Sequence, residues 1–166
     1  MTKPISTKLT EANIAAVLAI LRDIPGRLER LGSPLDSAQA QAPLGEGERS
    51  YTETVAHLIN CEALTADSIY LALLRDAPLI HDIHPERDLG KLLRHDTFDT
   101  ADLLAYFAFR RRVLLRVLDG LTEAQWTRVI RESGKGQQES VYWRARGQAL
   151  HELEHVTDLE DELGRD

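Results

Sequence analysis

Six histidines are scattered through the chain, and three of them stand where helical geometry could make them metal ligands. His151 and His155 fall four residues apart in Ala149-Leu-His151-Glu-Leu-Glu-His155. On a helix this spacing puts both imidazoles on one face, a turn apart, where both reach one ion. Alone, the pair is also compatible with a solvated or capping role, and we read it as distinct from the zincin signature. His57 sits in the apolar run Val55-Ala-His57-Leu-Ile and is expected to be partly buried. A buried neutral imidazole needs partners for both ring nitrogens, which a core hydrogen bond or a metal would supply. Inward histidines on two helices of a bundle are a familiar way to build a metal site, and three protein ligands leave positions open for water or substrate. Such donors suit zinc, nickel or ferrous iron.

The other reactive side chains are given lesser roles. His81 and His84 lie in a charged stretch and are expected at the surface, lining the mouth of a site only if their loop folds over it. Cys61 is one turn beyond His57, in position to face the same pocket. A single buried cysteine more often acts as a small apolar residue than as a ligand. In the run Arg110-Arg111-Arg112 at least two side chains must face solvent, and Arg110 is placed nearest the apolar stripe, in reach of Glu62. Trp126, Tyr142 and Trp143 read as core or loop anchors rather than a substrate platform. No residue stands out as a general base.

Helices must hold these groups. Ile14, Leu18, Leu21, Leu28 and Leu31 recur with helical spacing over Lys8 to Leu31, and Pro25-Gly26 is expected to kink or break that segment. The stretch from Gly32 to Gly47 reads as a connection. Ser50 and Glu53 have the form of a capping box opening a second helix that runs to about Asp76. From Leu79 to Thr100 we expect an irregular loop, or one with short helical turns. A third helix runs from Thr100 or Asp102 to Asp119, and a short one opened by Thr122 spans Leu121 to Arg131. Ser133-Gly-Lys-Gly-Gln is a polar Gly turn that suggests a small hairpin or an ordered loop, and a fourth long helix covers Val141 to Leu163. Strong helix formers dominate, so the prediction is one all-α domain over residues 1–166, a four-helix bundle.

Composition narrows the partners. Twenty Lys and Arg against twenty-seven Asp and Glu give a net charge of −7, which disfavours nucleic acid because phosphate binding needs a cationic surface. One cysteine excludes a disulfide framework and a Cys-rich zinc module. No apolar run approaches the roughly 18 residues of a membrane span. Met1 to Thr7 lacks the apolar stretch of a signal peptide, so a soluble, cytoplasmic protein is expected.

Three segments together resemble the DinB superfamily, also called the DinB/YfiT-like metalloenzymes. They are the proline-interrupted Leu21-Arg-Asp-Ile-Pro25, the stretch Ser50-Tyr51 through His57-Leu-Ile-Asn-Cys-Glu62, and the closing His151-x-x-x-His155. Tyr51 stands where many relatives have Trp, and Asp158 where a Gln often follows the last histidine by three. The resemblance implies an up-down-down-up four-helix bundle, often a homodimer. It further implies a divalent metal, commonly zinc or nickel, held by His57, His151 and His155. Some relatives are thiol S-transferases using bacillithiol or mycothiol, and some are maleylpyruvate isomerases. The expectation is therefore a metalloenzyme joining a low-molecular-weight thiol to an electrophilic small molecule. The alternatives are a metal-dependent hydrolase, or a non-catalytic stress-response or binding protein with a vestigial metal site.

Overall fold

A computed structural model describes residues 5–164. Met1–Pro4, part of the segment read for a leader, lie outside the described residues. In chain order the elements are α1 (Glu11–Gly32), α2 (Ser37–Gln41), α3 (Tyr51–Leu74) and β1 (Leu79–Ile80). A π-helical turn (Pro85–Gly90), α4 (Lys91–Leu93) and a 3-10 turn (His95–Thr97) lead to α5 (Thr100–Leu118). Next come α6 (Glu123–Trp126), β2 (Val129–Glu132), β3 (Glu139–Ser140) and α7 (Val141–Leu163). The four long helices form the bundle, α1 and α3 each packing against both α5 and α7.

Local chemistry sets the helix ends. Thr10 caps α1 by accepting from the Asn13 amide, and Ser50 and Glu53 cap α3 reciprocally, as the capping-box pattern predicts. The connection after α1 holds the short α2, opened by a second such box between Asp36 and Gln39.

Of the two outcomes expected at Pro25, a kink or a break, the break does not occur. Proline has no N–H to give the carbonyl four residues back, which here is that of Leu21. Arg111 Nη1 donates to this Leu21 oxygen at 2.7 Å from α5. The lost helix bond is thus replaced from a neighbouring helix, and α1 continues to Gly32.

The core has two apolar halves. One gathers Val17, Leu21, Ile69, Leu114 and Ala149, and the other Ile24, Leu28, Val55, Phe107 and Val156. Between them, α3, α5 and α7 each contribute a buried charge at one level: Glu62, Arg111 and Glu152.

The small sheet departs from the all-helical prediction. The segment expected as helix over Leu121 to Arg131 is helical only at Glu123–Trp126, and then becomes β2. Val129 and Ile130 favour extended backbone, and strand geometry buries Ile130 against the core. β2 lies between parallel β1 and antiparallel β3, with Gly134 (φ 82°) in the expected hairpin turn. Among the described residues, no helix is long and apolar enough to cross a membrane.

Candidate metal centre

The structure brings His57 of α3 together with His151 and His155 of α7. His151 Nε2 lies 3.3 Å from His57 Nε2 and 3.1 Å from His155 Nε2, and the ring centroids are 4.6–5.2 Å apart pairwise. The four-residue spacing on α7 stacks one pair, and α3 packing against α7 supplies the third ring.

Protonation favours ligation. Burial lowers the pKa of His57. Burial first, then the neighbouring His151 and His57, holds His155 at about 4, so it is neutral at pH 7. A Glu86 carboxylate oxygen accepts from His57 Nδ1, which leaves the lone pair on Nε2, facing His151. Glu86 rides on the π-helical turn, where the His84 ring Nδ1 accepts from the Glu86 and Arg87 amides at 3.1 Å each. Arg49 lies 3.5 Å from the same Glu86 oxygen.

These residues fit a divalent ion. One Nε2–H on His151 cannot serve both neighbouring nitrogens, so the cluster is short of a partner that a cation would supply. Tetrahedral ligands at the usual zinc–imidazole length stand about 3.3–3.4 Å apart, and facial octahedral ones about 3.0 Å. The two separations that involve His151, 3.1 and 3.3 Å, fall in this range, while the set whose donors all lie within 4.8 Å of one another is His57, Cys61 and His151.

Cys61 faces the cluster, as its place one turn beyond His57 allows. Its Sγ lies 3.6 Å from His57 Nε2, and His57, Cys61 and His151 can bring donor atoms within 4.8 Å of one another. Burial pushes its thiol pKa up to about 12, so without a cation Cys61 is a thiol.

The segment does spell His-Glu-x-x-His, since Glu152 directly follows His151. Setting the zincin pattern aside on spacing is therefore wrong. The structure excludes a zincin-like base instead, because Glu152 is fully buried and binds Arg111 Nη2 at 2.5 Å and Gln148 Nε2 at 2.7 Å. Arg111, not Arg110, is the buried arginine: its Nη2 also donates to Glu62 at 2.8 Å. Arg110 reaches Glu62 only at 3.8 Å and stays partly exposed. The signal was present, because Leu103, Phe107, Arg111, Leu114 and Leu118 form one helical stripe.

Of the remaining candidates, His81 is exposed and His84 caps the π-helical turn. Trp126 and Tyr142 are core anchors, as expected, whereas Trp143 is 38% exposed and lines a cleft that ends at Cys61 and His151. Sequence reasoning missed Glu86, whose only signal was its place in a His-Pro-Glu turn far from His57 in the chain.

Glu86 gives a first prediction. Glu86→Ala is expected to weaken divalent-metal binding by about 10–100-fold, since the histidine loses the acceptor that fixes its tautomer. A competition titration with a chromophoric chelator reads this directly. Unchanged affinity would mean that Glu86 does not set the His57 tautomer.

Comparison with known proteins agrees with this fold. The solved structure of YfiT from Bacillus subtilis superposes with a TM-score of 0.84 at 17% identity, covering 97% of this chain and 93% of that one. It is described as a probable metal-dependent hydrolase with an unusual four-helix bundle topology. A mycothiol-dependent maleylpyruvate isomerase gives a TM-score of 0.69 at 16% identity over 88% of this chain, which spans 60% of the isomerase. No protein of curated function matches the sequence. The sequence model of the DinB superfamily matches residues 20–159, which takes in all three histidines, the whole of α3 and α5 and most of α1 and α7, and the chain belongs to that superfamily.

Proposed function

We propose that the protein is a metalloenzyme of the thiol S-transferase type, with His57, His151 and His155 holding one divalent ion, zinc or nickel. The observation that carries this reading is the convergence of His57 and His155 on Nε2 of His151, which lines a cleft. A divalent ion held there supplies Lewis acidity, which lowers the pKa of a thiol or water into the neutral range. Three neutral imidazoles add no negative charge, so the full double charge would remain to act on the nucleophile.

The chain's own groups position and exclude. Glu86 orients His57, and the Arg111 layer holds α3, α5 and α7 in register beside the cluster. Cys61 is a further donor within reach of His57. The nucleophile in this reading is the thiol of a small cofactor such as bacillithiol or mycothiol, and the substrate is a small electrophile.

The 93% coverage of YfiT favours a second reading, a metal-dependent hydrolase with water in place of the thiol. Incubating metal-loaded protein with 1-chloro-2,4-dinitrobenzene plus mycothiol or bacillithiol, and with p-nitrophenyl acetate without thiol, separates the two. Enzyme-dependent, thiol-dependent consumption of the chloride is expected. Ester turnover that needs no thiol would overturn the transferase reading in favour of hydrolysis, and neither reaction would leave a binding protein.

A further inference from the structure

A cleft of about 610 Å³ lies between α3, α7 and the loop that follows β1, and ends at Cys61 and His151. That is the size range of small-molecule sites. Its walls hold several of the molecule's exposed large apolar side chains. Leu71 is 43% exposed, Leu79 53%, Ile83 45% and Trp143 38%, yet all four face this one space. Apolar groups brought together from a helix, a strand, a loop and a second helix gain nothing there from the chain itself, and would gain from a ligand that covers them.

Gly147 is the second observation. It lies in the interior of α7, where glycine is about 1 kcal/mol less favourable than alanine. A Cβ built on it meets no atom within 4 Å, so the chain's own packing does not require glycine there. It leaves the α7 wall of the cleft low, one turn before His151.

Charge defines the occupant. The lysine and arginine lining the cleft, Lys135 and Arg144, are both already held by Glu132 and Glu139. Asp67 and Asp82 add negative charge to its lining. Among the described residues, an anionic ligand would meet carboxylates with no unengaged lysine or arginine lining the cleft to receive it.

We propose that this cleft binds an uncharged small molecule with an alkyl or aryl body, its polar reactive end directed to His151 and Cys61. Placing the reactive end there rests on the metalloenzyme reading; the apolar binding site does not.

The test uses the full chain stripped of metal by chelator, with N-phenyl-1-naphthylamine as a neutral fluorescent probe. Its sulfonated analogue, 8-anilino-1-naphthalenesulfonate, serves as the anionic partner. The neutral probe should bind saturably at one site, about tenfold or more tighter than the sulfonate. Gly147→Leu, which fills open space and favours the helix, should weaken it by about tenfold or more. Leu71→Ser should weaken it too, while Leu74→Ala, at an exposed leucine outside the cleft, should not. No saturable binding, equal binding of the sulfonate, or wild-type binding by both cleft variants would overturn the proposal. Because the protein is metal-free, probe binding by a chain that takes up no metal would sink the metalloenzyme reading and leave the cleft assignment standing.

Discussion

Arg111→Met is expected to destabilise the protein by about 3–5 kcal/mol, the usual consequence of leaving buried charges without their partner. Arg111 is 1% exposed and is shared by two carboxylates that are fully buried, Glu62 and Glu152. Removing it strands both between the two apolar halves of the core and also frees the Leu21 carbonyl. Urea unfolding at pH 7 measures the loss, and the melting temperature should fall by roughly 6–20 °C. Burial already raises the pKa of Glu62, and losing the guanidinium raises it further. In the window above its ordinary value the folded variant then holds a proton that the unfolded chain releases. Its stability must therefore fall as pH rises through that window, and the deficit should be smaller at pH 5 than at pH 8. Adding Glu62→Gln and Glu152→Gln to the variant should recover part of the loss. A single-variant loss below about 1 kcal/mol would mean that the layer is not an ion cluster.

Metal should stabilise the wild-type chain and do nothing for His151→Ala. At 100 times its dissociation constant, zinc or nickel is expected to add about 2.7 kcal/mol, provided the unfolded chain does not bind it. For a chain of this size that is a rise in melting temperature of roughly 5–11 °C. His151 is the right residue to remove because its Nε2 touches both other rings. Two further variants separate the donor sets. With three histidine ligands, His155→Ala loses the metal-induced rise and Cys61→Ala keeps most of it. The reverse pattern would assign the site to His57, Cys61 and His151, whose donors also lie close together.

Much of this arrangement was legible in local sequence, for a definite reason. Caps and periodicity act over three or four residues, so Ser50 with Glu53 located the start of α3, and the α7 histidines declared a shared face. What failed to show depended on partners distant in the chain. Glu86 reaches His57 across 29 residues, through a turn whose course the sequence does not dictate. The Leu21 carbonyl freed by Pro25 finds Arg111 90 residues away, so a proline that reads as a kink or a break becomes an anchoring point. Val129 and Ile130 carry a local preference for extended backbone, but the pairing with β1 that fixes the strand lies far back in the chain and could not be read from it. Arg111 is a different case: its place in the α5 stripe was visible, but an arginine inside a core is unexpected unless its carboxylate partners are already known.

The central claim, that three histidines hold one divalent ion, is tested most directly by elemental analysis. Tag-free protein purified without chelator would be measured beside His151→Ala, both before and after reconstitution with zinc and with nickel. The account predicts about one equivalent of metal per chain in the wild type and almost none in the variant. No bound metal in the wild type after reconstitution, or a full equivalent retained by the variant, would contradict it.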